Sequence, residues 1–152
     1  MALEVGQAAP EFSLRDQNKQ TQKLSDYRGK PVVLLFYPAD FSGVCSEEMA
    51  CMRDNLPRFK DLDAQIFGVS VDSTYSHAAF AQQQGVEFPL LADFHPKGEV
   101  TDAYGFYFPS RGHGSRGYVV IDREGKVAAY KDVGPPNLPD FDEIEREVAA
   151  VQ

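Results

Sequence analysis

The sequence predicts an α/β protein with a mixed central sheet flanked by helices. Three observations carry that expectation. Pro31 to Tyr37 is a continuous apolar run with the make-up of a central strand covered on both faces, Gln65 to Val71 is a second buried strand, and a helix is read after each. Tyr118-Val119-Val120-Ile121 and Lys126-Val127-Ala128-Ala129-Tyr130 bracket Asp122-Arg123-Glu124-Gly125, a hairpin signal. The hairpin is followed by a terminal segment whose apolar residues recur on one helical face. Two strand–helix units and a hairpin–helix unit make one sheet layer with helices on both sides.

The elements follow in order. Phe12-Ser13-Leu14 and Thr21-Gln22-Lys23-Leu24 flank a polar tetrapeptide and form an N-terminal hairpin. Ser25 to Lys30 reads as a short turn or 3₁₀ segment ended by Gly29. After the first buried strand a helix runs from about Gly43 to Lys60, with Met49, Met52, Leu56 and Phe59 facing the core. Pro57 stands where it would kink or shorten that helix. Thr74 to Gln84 is a second helix, closed by Gly85. Phe88 to Leu91 is a short extended piece, and Gly98 to Tyr104 a helical turn. Gly112 to Gly117 reads as a flexible loop, with His113 in solvent. Phe141, Ile144, Val148 and Val151 line the last helix.

Bulk properties narrow the function. The chain of 152 residues suits one domain, 1–152, and 43% hydrophobic content suits a packed core. A net charge of −8 disfavours nucleic acid and anionic membranes as partners. No apolar run is long enough to span a bilayer, and the N-terminal residues lack the pattern of a secretory leader, so a cytoplasmic location is expected. The two cysteines are six positions apart rather than in a C-x-x-C pair, and the three histidines fall in no ligand pattern. Neither a metal nor another cofactor is expected.

The informative segment is Pro38-Ala39-Asp40-Phe41-Ser42-Gly43-Val44-Cys45. It lies where a buried strand becomes a helix. Unpaired N–H groups and the helix dipole at such a terminus favour a thiolate over a thiol. From placement alone two readings stay open for Cys45: a reactive sulfur, or a small buried hydrophobe.

The pattern Pro38-x-x-x-Ser42-x-x-Cys45 resembles the signature of the peroxiredoxins, the AhpC/TSA superfamily of thiol peroxidases on a thioredoxin-like fold. The resemblance extends to Ala9-Pro10-Glu11-Phe12, to Phe88-Pro89-Leu90-Leu91-Ala92-Asp93 and to the arginine-bearing strand Arg116-Gly117-Tyr118-Val119-Val120-Ile121-Asp122, in the family's order. It is greatest to the one-cysteine alkyl hydroperoxide reductase E group and next to the bacterioferritin comigratory protein (PrxQ) group. Position 42 is Ser where that family more often has Thr. Ala50 stands where the PrxQ pattern has its resolving cysteine, and Cys51 follows one position later.

The resemblance implies a peroxidase that reduces hydrogen peroxide and organic hydroperoxides through a sulfenic acid on Cys45. Arg116 would stabilise the thiolate and the developing charge. Ser42 would exchange hydrogen bonds with peroxide and sulfur while capping the helix. Pro38 would shield the site from water. Glu47 and Glu48, within one turn of Cys45, oppose thiolate formation, so they are expected to face solvent or to pair with arginine. Glu48 is the candidate to orient Arg116.

The sulfenic acid needs a reductant. On an intact helix Cys45 and Cys51 would be about 9 Å apart along the axis and about 120° apart around it. A disulfide needs Cα atoms roughly 4.4–6.8 Å apart. Resolution by Cys51 thus requires unwinding, and its helical neighbours place it on a polar face outside the core. Recycling by an external thiol (thioredoxin, a glutaredoxin-like protein or a low-molecular-weight thiol) is preferred, with Cys51 as the alternative. Phe106-Tyr107-Phe108-Pro109 and Phe41 are read as an aromatic cluster near the site, suiting a homodimer and a preference for organic hydroperoxides. Two competing functions remain: a non-catalytic thioredoxin-like interaction or holdase module, and a disulfide oxidoreductase.

Overall fold

The computed structural model describes residues 3–152; Met1 and Ala2, part of the stretch read above for a leader, lie outside the described residues. Its strands and helices follow the expected order. A hairpin of β1 (Ser13–Arg15) and β2 (Thr21–Lys23) leads through a 3₁₀ turn (Leu24–Tyr27) to β3 (Val32–Phe36). Then come α1 (Gly43–Asp61), β4 (Gln65–Ser70), α2 (Thr74–Gln84), β5 (Leu90–Ala92) and α3 (Glu99–Ala103). The chain ends with β6 (Tyr107–Phe108), β7 (His113–Gly114), β8 (Gly117–Ile121), β9 (Val127–Asp132) and α4 (Phe141–Ala149).

Five strands form the central sheet in the order β5-β4-β3-β8-β9. The β3–β4 and β4–β5 pairs are parallel, because a helix carries the chain back each time; β3–β8 and β8–β9 are antiparallel. All five residues of β3 are buried, as an uninterrupted apolar run requires of a strand covered on both faces. Alternation then divides the core in two. Val33, Leu35, Tyr37, Ile66 and Tyr118 meet Met49, Met52 and Phe59 of α1, Phe80 of α2 and Ile144 of α4. Val32, Leu34, Phe36, Phe67 and Val119 meet Phe12, Leu24, Val100, Tyr104 and Phe106 on the other face. The long helices thus share one side, while the short α3, the 3₁₀ turn and the N-terminal hairpin cover the other. No helix of the described residues is long and apolar enough to cross a membrane.

Three local expectations need correction. α1 continues through Pro57 to Asp61 rather than stopping or shortening there. Gly112 to Gly117 is not a free loop: His113 and Gly114 pair with Phe108 and Tyr107, and the His113 ring sits edge-on to Phe108. The aromatic cluster does not form. Phe106 is buried on the far side of the sheet, stacked on Tyr130 and packed against Phe36, whereas Phe41 lies against Phe80 of α2. Strand alternation at Phe36 and Tyr37 separates the two groups, so the expected preference for organic hydroperoxides loses its basis.

Candidate active site

The register of β3 and β8 assembles the site. Phe36, the last residue of β3, pairs with Gly117, the first of β8. Arg116 therefore arrives where β3 ends and the loop to α1 begins. Gly117 makes this approach possible: a Cβ there would lie 2.5 Å from the Lys131 carbonyl oxygen and 2.3 Å from the Phe106 ring. The strand after Arg116 and the loop after β9 hold its backbone, with Val133 and Gly134 N–H groups donating to the Arg116 carbonyl.

The loop Tyr37 to Ser42 sets the start of α1. Phe41 has φ 68°, a left-handed conformation unusual for a bulky side chain and costing roughly 1–2 kcal/mol. Ser42 follows in an extended conformation as the N-cap, its Oγ accepting from the Cys45 N–H at 3.2 Å. Pro38 is half-buried between the strand and this turn. Cys45 consequently occupies the first turn of a long helix, and it is fully buried.

A buried aspartate fixes the loop from behind. Asp40 accepts from the Tyr37 hydroxyl at 2.7 Å and from Ser76 Oγ at 2.8 Å, and faces His77 Nδ1 at 2.8 Å. His77 Nε2 faces the Leu91 carbonyl at 2.9 Å, and the Asp40 N–H donates to Asp72 Oδ2 at 2.9 Å. Asp40, Asp72 and His77 bring two carboxylates and an imidazole, each able to ligate a metal, within 4.8 Å of one another. Their facing atoms are already engaged in hydrogen bonds, so the group reads as an anchor between loop and α2. Neither Asp40 nor His77 is among the site residues expected from the sequence. The available signal was Asp40 itself, an acid beside a strand end, where burial demands partners.

The Arg116 side chain is 1% exposed and divides its donors among three acceptors. Nε donates to the Pro135 carbonyl at 2.9 Å, Nη2 donates to Cys45 Sγ at 3.0 Å, and Nη1 donates to Glu48 Oε1. Glu47 is exposed and Glu48 is fully buried, so the two carboxylates take the two expected fates separately. Loss of hydration on burial pushes the Glu48 carboxyl up to about 7, against the pull of the Arg116 charge.

That shift has a consequence for stability. The folded chain holds the Glu48 proton more tightly than the unfolded chain, where the ordinary value is 4.5. Between those two values the native state binds more protons. Unfolding free energy is therefore expected to fall as pH rises from 4.5 to about 7, by up to ~3 kcal/mol, and this contribution is lost above it. Urea melts across that range should show the slope, and Glu48→Gln should flatten it.

Cys51 is also a free thiol, on the same unbroken helix as Cys45. It is half-buried and packs against the edge of the core, rather than lying on a wholly polar face as expected. The helix α4 docks along α1, with Arg58 donating to Asp142 at 2.8 Å and pairing with Glu145. That docking covers the flank which α1 alone would leave in water.

The family model described as "AhpC/TSA family" matches residues 5–130. The chain is 45% identical over 126 residues to alkyl hydroperoxide reductase E of Mycobacterium tuberculosis (strain ATCC 25618 / H37Rv), covering 82% of each chain. It is 37% identical over 133 residues to peroxiredoxin Bcp of Bacillus subtilis (strain 168), covering 84% of this chain and 83% of that one. Among solved structures, peroxidoxin BcpB from Mycobacterium tuberculosis superposes with a TM-score of 0.86 over 99% of both chains, at 28% identity.

Proposed function

Because the chain belongs to the AhpC/TSA family, we propose that Cys45 is the nucleophile of its peroxide chemistry, with Arg116, Ser42 and Pro38 completing the site. The protein is a thiol-dependent peroxidase, of the thioredoxin-like fold shared by the peroxiredoxins it resembles. The non-catalytic and disulfide-oxidoreductase readings are not favoured.

One observation carries the assignment: the Arg116 Nη2 donor lies 3.0 Å from the Cys45 sulfur, with both groups buried. A fixed cation in a dry place is worth far more to an anion than one in water. The thiolate attacks one peroxide oxygen, the O–O bond breaks, and the departing oxygen leaves as water or alcohol. Cys45 becomes a sulfenic acid, which an external thiol returns to the starting state. Ser42, whose hydroxyl accepts from the Cys45 N–H, supplies a hydrogen bond to the peroxide once its cap bond is shared. Pro38 keeps water from the turn.

The continuous helix between Cys45 and Cys51 favours the external reductant over Cys51. Exposed aromatics around the loop and α2 (Phe41, Tyr75 and Phe94) favour a homodimer through this side of the molecule. Native and peptide mass spectrometry of peroxide-treated protein, without reductant, tests the whole reading. The expected result is a dimer carrying one added oxygen on Cys45, with Cys51 open to alkylation. A Cys45–Cys51 disulfide would sink the one-cysteine cycle, a monomer mass the dimer, and an unmodified Cys45 the nucleophile.

A further inference from the structure

We propose that Glu48 is the proton store of the peroxide reaction: it takes the proton that Cys45 gives up and hands it to the departing oxygen of the hydroperoxide. The inference deepens the peroxidase reading and rests on it. Glu48 Oε2 is buried and has no hydrogen-bond partner among the described residues, although Oε1 of the same carboxyl accepts from Arg116. Buried carboxyl oxygens are almost always partnered, and an orphan needs a reason.

Cys45 and Glu48 are three residues apart on α1, so their side chains lie on one face of the helix. They also occupy two nitrogens of one rigid guanidinium: Nη2 meets the sulfur at 3.0 Å and Nη1 meets Oε1. Two acids thus share a single cation, and all three groups are at most 1% exposed. One cation balances one anion. Ionising both acids would leave an uncompensated negative charge where water is excluded. The reactive state is therefore thiolate, guanidinium and neutral carboxylic acid. The upward push on Glu48 agrees with this division of charge.

The proton balance of the reaction gives the arrangement its use. The Cys45 sulfur bonds to the OH oxygen of ROOH, the O–O bond breaks, and its electron pair leaves with RO⁻. Sulfur is oxidised by two electrons and the peroxide is reduced. An alkoxide or hydroxide is a poor leaving group unless it gains a proton as it departs. Glu48 supplies that proton and becomes the carboxylate beside Arg116, whose charge the neutral sulfenic acid has just released. When the reductant restores the Cys45 thiol, its proton passes to Glu48 and the site is reset.

The test compares leaving groups. Glu48→Gln keeps an oxygen to accept from Arg116 but has no proton to give. Oxidation of Cys45 is followed with tert-butyl hydroperoxide, whose alkoxide needs a proton, and with peracetic acid, whose acetate does not. The variant is expected to lose about 100-fold with the alkyl hydroperoxide and far less with the peracid. In the wild type, a solvent deuterium isotope effect should accompany the first substrate and vanish with the second, so the result does not depend on the variant's folding. Equal slowing with both substrates would reduce Glu48 to a positioning residue and overturn the proposal, as would no slowing, or an isotope effect indifferent to the leaving group. A wild type oxidised by neither substrate would instead fail the peroxidase reading, and this inference with it.

Discussion

Cys45→Ser is expected to bring hydroperoxide reduction down to background, a loss of roughly 10⁴-fold or more, while leaving the fold intact. The oxygen of serine has a far less acidic proton and a less polarisable lone pair than sulfur, so it neither ionises at this site nor attacks an O–O bond. The replacement is nearly isosteric, and a hydroxyl at position 45 can accept the Arg116 Nη2 hydrogen bond that the sulfur now accepts at 3.0 Å. The substitution therefore removes chemistry without opening a cavity, and a stability change of about 1 kcal/mol is expected. Peroxide consumption in the presence of a thiol reductant, read beside a urea melt of the same sample, separates the two effects. Cys51→Ser is the matched control: under the external-thiol cycle it turns over like the parent chain. Residual turnover above background in Cys45→Ser would mean that the nucleophile lies elsewhere.

The parts of this site differ in how far the sequence exposes them. Cys45 and Ser42 are legible because local rules place both: a strand-forming run, a turn, and helix formers leave a cysteine in the first turn and a serine at the cap. Arg116 is not legible from local rules, which favour an exposed loop arginine; only its place in a longer family pattern singles it out. The structure supplies the reason for its burial, since the pairing of Gly117 with Phe36 sets it beside the end of β3. That pairing joins residues some eighty positions apart, and no window of sequence contains it. Glu48 was legible as a choice between solvent and arginine, and burial decided it. The anchor of Tyr37, Asp40 and His77 and the separation of Phe41 from Phe106 are not legible in the sequence. The alternation of β3 and the docking of α2 set the partners of both groups, and neither is visible in a window of neighbouring residues. Cys51 illustrates a third limit, because its half-burial comes from packing against the core, which the polar neighbours it has on α1 do not report.

The substitutions of Arg116 should separate its charge from its shape. Arg116→Ala is expected to slow Cys45 oxidation by roughly 10²–10³-fold, the usual cost of removing one fixed donor from a developing negative charge. It should also destabilise the fold. Removing one partner of a buried ion pair costs about 3–5 kcal/mol when the survivor stays charged. Here the survivor is Glu48, whose carboxyl already sits near neutrality and sheds its charge by keeping its proton, so a loss nearer the lower end is expected. The pH dependence carries the proof. Without Arg116 nothing opposes the effect of burial on Glu48, so the carboxyl titrates higher still and the fall of stability with rising pH extends further into the alkaline range. Adding Glu48→Gln to Arg116→Ala removes the stranded acid and should recover part of the stability at neutral and alkaline pH, but none of the rate. Arg116→Lys keeps the positive charge on a single nitrogen, which cannot reach Pro135, Cys45 and Glu48 together as three guanidinium nitrogens do. The lysine variant is expected to hold most of the stability and still lose rate by about 10²-fold, because a point charge shared between two acids leaves the sulfur only intermittently paired. Oxidation rates and urea melts of the three variants over one pH series decide the matter: a lysine variant with full rate would show that charge alone suffices, and that the fork joining Cys45 to Glu48 has no part in the reaction.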